Sequence, residues 1–250
     1  MRVLLTNDDG VTSPGILAMK AALEADHEVW VFAPDGERSG TSHRITLGVP
    51  VMKKKLADKL YSCSGSPADC VLMALLGALP LKPDVVISGI NMGPNIGTDI
   101  VYSGTAAAAR QAALMGIPAI AVSLDTVSPP FYFEPLARFI ALNIGQFQQL
   151  WDEQHFVNIN APNSNVYAGT AITHPSRRRY HDNLEELPLP GGDSCYYLHG
   201  PPPETDRDQG SDWEAVIQNK VSVSPVLLQP VSYTENTRYK LARFIGGGDA

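Results

Sequence analysis

The chain has 250 residues, 44% hydrophobic and 18% charged, with a net charge of −7. That acidic balance argues against electrostatically driven binding to DNA, RNA or anionic membrane, and a phosphate ester would need a local cation to offset it. No apolar run approaches the ~20 residues that span a bilayer, and three sparse cysteines (Cys63, Cys70, Cys195) build no disulfide framework.

The N-terminus has only Val3-Leu4-Leu5 as an apolar run before Asn7-Asp8-Asp9, too little for a secretory leader. The expectation is a soluble, cytoplasmic protein. Arg2–Thr6 is predicted to be a strand buried on both faces. Ser13-Pro14 opens a helix, with serine as N-cap and proline at the first helical position. His27–Ala33 is a second strand, rich in β-branched and aromatic residues. Ile45–Leu47 and Val51–Met52, around Gly48 and Pro50, suggest an excursion of paired strands. Ser66-Pro67-Ala68-Asp69 has the form of a helix start, continued by Val71–Leu79.

Asp84–Ser88 is predicted as another buried strand, followed by a glycine-rich loop, SGINMGPNIG. A small-residue helix runs from about Gly104 to Met115, and Ala119–Leu124 is a strand. Phe133–Leu150 is a long helix and Phe156–Asn160 a later strand. These repeated units predict an α/β fold, a doubly wound, mostly parallel, Rossmann-like sheet with helices on both faces. Residues 1–160 would form the catalytic core. Residues 161–245 are looser, a β-rich C-terminal subdomain or swapped arm with a short helix near Trp213–Gln218. Residues 246–250 are expected to be a disordered tail.

In an open α/β sheet, ligands bind beyond the carboxyl ends of the strands. Asp8 and Asp9 follow the first strand, Asp35–Ser42 the second, and Asn91 and Asn95 the strand DVVIS. Adjacent carboxylates repel, and a shared cation relieves the repulsion. Neutral oxygens from Ser39 and Asn91 would complete a hard-cation shell, suited to Mg²⁺ or Mn²⁺ rather than zinc. Equally, Asp8-Asp9-Gly10 reads as a plain turn. Ser103-Gly104-Thr105, at a helix start, suits either an anion site or simple capping. Asn95 would position substrate or brace its loop. His43, four residues beyond Ser39, is a candidate proton donor to a leaving group. Arg177-Arg178-Arg179 reads as a solvated or subunit-contacting face, with nucleotide contact the alternative.

The strings LLTNDDGVTSPG, APDGERSGTSHRIT, GSPADCV and SGINMGPNIGTDIVYSGT, and more loosely NKVSVSPV, resemble the SurE family in order and spacing. The resemblance implies a 5'-nucleotidase or related phosphatase that acts on nucleoside monophosphates, with 3'-nucleotides and short polyphosphate as further substrates. It implies one divalent metal ion per subunit on Asp8, Asp9, Ser39 and Asn91, with Asp8 and Asp9 counted in the catalytic apparatus. It favours a phosphate-side role for the Ser103–Thr105 loop. It also implies a homodimer or homotetramer built partly by exchange of C-terminal segments.

Water is preferred as the nucleophile, because an aspartate committed to metal is a poor one. One alternative is a non-catalytic nucleotide-binding stress-response module. Another is a haloacid-dehalogenase-type aspartyl phosphatase, whose two aspartates would be separated by one residue; here they are adjacent. No GxGxxG follows the first strand, and no P-loop, GxSxG or HExxH occurs.

Overall fold

The computed structural model describes residues 1–80 and 82–229; the tail expected at 246–250 lies outside them. The N-terminal elements are β1 (Arg2–Thr6), α1 (Pro14–Leu23), β2 (Glu28–Pro34), β3 (Lys53–Ala57), β4 (Leu60–Cys63) and α2 (Pro67–Met73). They continue with β5 (Val85–Met92), α3 (Gly104–Leu114), β6 (Ala119–Asp125), α4 (Phe133–Leu150) and β7 (His155–Pro162). The strands β4-β2-β1-β5-β6-β7 stand side by side and all parallel. The chain winds outward from β1 through β2 to β4, then jumps back to β5 on the other side of β1. The carboxyl ends of β1 and β5 therefore flank the topological switch point, where such sheets open a crevice.

Successive side chains of the strands serve two cores. Val3, Leu5, Val31 and Ile87 pack against Ile16 and Met19 of α1 and Leu136 and Ile140 of α4. Leu4, Phe32 and Val86 pack against Val71 of α2 and the alanine face of α3. A fully buried leucine or phenylalanine contributes roughly 1.5–3 kcal/mol. α3 uses Ala106, Ala108, Ala109 and Ala112 instead, and so lies close to the sheet with its N-terminus near the switch point. α2 starts as predicted, with a reciprocal cap in which Ser66 Oγ accepts from the Asp69 N–H and Asp69 accepts from the Ser66 N–H.

Three expectations change. The segment 43–52 forms no strand pair: the Asp69 carboxylate accepts from the Thr46 N–H (2.8 Å) and hydroxyl (2.7 Å), and Ser66 donates to the Arg44 carbonyl. The pair lies later, as antiparallel β3 and β4, and all five residues of β3 (Lys-Lys-Lys-Leu-Ala) are exposed on the sheet edge, where lysines discourage edge-to-edge pairing. The predicted strand Asp84–Ser88 also does not end at Gly89; β5 continues through Asn91 to Met92, with a register shift between Ser88 and Asn91.

Nor does the boundary near residue 160 divide the sheet. β8 (Gly169–Ile172) and β13 (Lys220–Leu227) join it, with β13 antiparallel to β7 and β8 parallel outside β13. Between them lie β9 (Arg178–Arg179), which pairs with β12 (Glu204–Thr205), and a hairpin of β10 (Asn183–Pro188) and β11 (Ser194–His199). α5 (Asp212–Ile217) follows β12. Every residue of the hairpin strands is exposed, including Leu184, Leu187, Tyr196, Tyr197 and Leu198. No helix among the described residues is long and apolar enough to cross a membrane.

Candidate active site

The loop after β1 is shaped by its first residue. Buried Asn7 donates through Nδ2 to the Gly10 carbonyl (3.0 Å) and to Ser13 Oγ (2.7 Å), folding Asp8 and Asp9 across the strand end. Ser13 is the N-cap of α1 as expected, and its side chain, which makes no cap bond, accepts from Asn7. Gly10 turns at φ +100°, with the backbone of Gly36 in the next loop only 3.2 Å from where a Cβ would stand. The two loops are joined directly, since the Arg38 N–H donates to the Asp8 carbonyl (2.7 Å) and the Val11 N–H to the Pro34 carbonyl (2.8 Å).

β5 brings in the third group. Gly89, at φ +131°, lies so close to β6 that a Cβ would stand 2.2 Å from the Val122 carbonyl oxygen. This close pass carries the strand past its register shift and delivers Asn91 to the crevice. Asn91 Nδ2 donates to the Gly93 carbonyl (2.8 Å), which leaves its oxygen to face elsewhere. The Met92 N–H donates to Asp9 Oδ2 (3.2 Å).

Asp8 is buried, and its carboxylate sits on the first turn of α3. It accepts from the Thr105 hydroxyl, and its Oδ2 accepts from the Thr105 N–H (3.1 Å). Gly104 admits this approach, because a Cβ there would stand 2.9 Å from Asp8 Oδ2. The helix start thus holds an anion, as its amides and dipole favour, and that anion is Asp8. Burial still pushes the Asp8 pKa up, against the Thr105 bonds that pull it down. Burial, with the charge of Asp8 behind it, pushes Asp9 up to about 7.

Asp8, Ser39, Asn91, Asn95 and Ser103 line one cleft of about 380 Å³. Asp9 joins them through Met92, whereas Thr105 is fully buried behind Asp8. Ser39 donates to Glu37 Oε1 (2.9 Å), so its oxygen lone pairs remain free to accept. Asn95 donates through Nδ2 to Ser123 Oγ (2.8 Å), and its backbone is gripped by Asn158 and Asn160. Its Oδ1 has no protein partner among the described residues. Ser103 Oγ accepts from the Ala106 N–H (3.0 Å), which leaves its proton to donate elsewhere. His43 does not line the cleft; its Nε2 bonds Gln111 Oε1 (2.9 Å) on the side of α3.

The donor set suits a hard divalent cation. Two adjacent carboxylates whose charge burial opposes, a serine oxygen and an amide oxygen with its nitrogen already bonded all offer oxygen. Among the described residues no three His, Cys, Asp or Glu side chains gather as a metal cluster, so a cation here would draw on neutral oxygens as well. Sequence reasoning missed the outer cleft. Asp99, Tyr102, Val127, Arg178, Tyr180 and Pro203 line it beside the predicted residues. Arg178, read from the sequence as part of a solvated or subunit-contacting face with nucleotide contact the alternative, lines the cleft, mostly buried and ion-paired to Asp99.

The profile of the family described as survival protein SurE matches residues 3–182. The chain is 41% identical over 243 residues to a protein named 5'-nucleotidase SurE from Rubrobacter xylanophilus, a match covering 91% of this chain and 92% of the relative. A protein of the same name from Petrotoga mobilis is 43% identical over 242 residues, covering 93% of this chain and 95% of the relative. The crystal structure of the SurE protein from Aquifex aeolicus is similar with a TM-score of 0.81 at 34% identity, covering 93% of this chain and 96% of that one.

Proposed function

The chain belongs to the survival protein SurE family, and from that premise we propose that it hydrolyses the phosphate ester of nucleoside monophosphates. One divalent cation per subunit, Mg²⁺ or Mn²⁺, would be held by Asp8, Asp9, Ser39 and Asn91. The observation that carries the reading is the meeting of oxygen donors from three loops at the switch point, two of them carboxylates whose charge burial opposes. A cation bound there supplies the positive charge that an acidic protein needs to hold and polarise a phosphoryl group.

The chain's own residues supply orientation. Thr105 and the first turn of α3 fix Asp8 from behind, so Gly104 and Thr105 act through that carboxylate. Ser103 has its hydroxyl proton available for a phosphoryl oxygen. Asn95 presents Oδ1 as an acceptor that can orient an attacking water, held in place by Ser123, Asn158 and Asn160. His43 is given no part, since its ring is bonded to Gln111 outside the cleft.

The test is phosphate release from AMP, GMP, CMP and UMP in Mg²⁺, Mn²⁺ or EDTA. Release with either metal, abolished by EDTA, is expected. Tight AMP binding in Mn²⁺ without turnover would make the chain a binding module instead.

Assembly as a homodimer or homotetramer belongs to the same proposal. An isolated two-stranded hairpin is marginal in water, and β10–β11 carries leucines and tyrosines in solvent, as a surface awaiting a partner does. Light scattering should give two or four times the 26.9 kDa chain mass; a single chain mass would remove this part of the proposal.

A further inference from the structure

The floor of the cleft is polar, but its outer wall is aromatic. Tyr102 and Tyr180 line it, 55% and 40% exposed, packed edge to face with ring centroids 6.0 Å apart and planes at 85°. Val127, 82% exposed, stands on the lip formed by the loop after β6. Exposed rings beside a charged floor have a cost in water, which a flat apolar ligand would relieve.

The charged groups on this wall are paired with each other. Tyr180 donates its hydroxyl to Asp99 Oδ1, and the Arg178 guanidinium pairs with Asp99 Oδ2. Thr98 and Arg178 exchange backbone-to-hydroxyl bonds of 2.9 and 3.0 Å, which pin this strand to the segment carrying Tyr102. On its other side, the Tyr102 carbonyl accepts from the Ser42 N–H (3.0 Å), in the loop that carries Ser39. The hydroxyl of Tyr180 is thus fixed by burial and by Asp99, which together push its pKa up. What the wall offers a ligand is chiefly ring surface.

We propose that Tyr102, buttressed edge-on by Tyr180, is the stacking platform for the nucleobase of the substrate. This rests on the nucleotidase reading and deepens it. A nucleoside monophosphate with its phosphate on the Asp8–Asn91 floor must project its base outward, and the outward wall is this pair of rings. Asp99 and Arg178 are paired with each other, and the unpartnered Arg178 Nε is buried out of a ligand's reach, so the wall reads ring area rather than the hydrogen-bonding edge of the base. Adenine and guanine are then treated alike, and both rank above the pyrimidines.

The test compares AMP with ribose 5-phosphate, which keeps the sugar and phosphate and lacks the base, in Mn²⁺. The ratio of their kcat/KM values should fall about tenfold in Tyr102→Ala, chiefly through KM for AMP, and be retained in Tyr102→Phe. Thermal unfolding of each variant controls for loss of fold. An unchanged ratio in Tyr102→Ala, or a wild-type ratio near one, would overturn the platform while leaving the phosphatase reading intact. Discrimination between AMP and GMP by more than about tenfold would show edge recognition and overturn it too. Turnover of neither substrate by the wild type would instead remove the nucleotidase reading itself.

Discussion

Asp8→Asn is expected to lower metal-dependent phosphate release by about a thousandfold or more while leaving the protein folded. Stabilising developing charge with a cation is worth several kcal/mol, and each 1.36 kcal/mol is about tenfold in rate. The fold should survive because asparagine can keep both contacts to α3. Its Oδ1 can accept from the Thr105 N–H, and its Nδ2 can donate to Thr105 Oγ1, a hydroxyl that accepts as well as donates. The substitution also removes a carboxylate whose charge burial opposes, so in EDTA the variant should melt at or above the wild-type temperature. Mn²⁺ separates the two proteins. At about a hundred times its dissociation constant, a cation adds about 2.7 kcal/mol, roughly 5–10 °C in Tm for a chain of this size. The wild type should show that shift and the variant should not. Equal shifts, or activity kept within tenfold, would remove Asp8 from the metal site.

The second large effect is structural. Gly15→Ala would place a Cβ 2.0 Å from the carbonyl oxygen of Ile90 and 3.0 Å from its carbonyl carbon. Both partners are backbone, one in the first turn of α1 and the other inside the sheet, so neither can rotate away. Overpacking of this kind costs about 3 kcal/mol, at the upper end of its usual range, or roughly 6–12 °C in Tm. The displaced residue immediately precedes Asn91, so Mn²⁺ affinity should fall with stability. Gly145→Ala is the matched control. It lies in α4 with nothing within 4 Å of a new Cβ, and should gain up to about 1 kcal/mol from helix propensity. A Gly15→Ala protein that melts like the wild type would mean that α1 does not press on β5.

The inner half of the site is legible in the sequence because its signals are local. Asp8 and Asp9 end an apolar run, and Asn91 stands three residues beyond the run DVVIS, so both fall at strand ends on one edge. α4 is legible over its full length, since Phe133, Leu136, Ala137, Ile140, Ile144 and Phe147 recur at helical spacing and are all buried. The outer half is not legible. Arg178 and Tyr180 meet Asp99 across 79 and 81 residues, a distance over which periodicity carries nothing. β3 is hidden for another reason: an edge strand of three lysines lacks the apolar alternation by which strands are read. The length of β5 is hidden by its glycine, which signals a loop in sequence yet here serves a close pass of one strand by the next.

β13 sits between β7 and β8, and this order of strands has a consequence for synthesis. β8 leaves the ribosome about 50 residues before the strand that must hold it, a wait of roughly 3–10 s at ordinary elongation rates. The six parallel strands can close during that interval, with their buried aliphatic residues already paired. β8 cannot, so it is the nascent strand that waits longest for its partner. Late-arriving, non-local pairing of this kind is slow and aggregation-exposed, and places the vulnerable step of folding at the far edge of the sheet, away from the cleft.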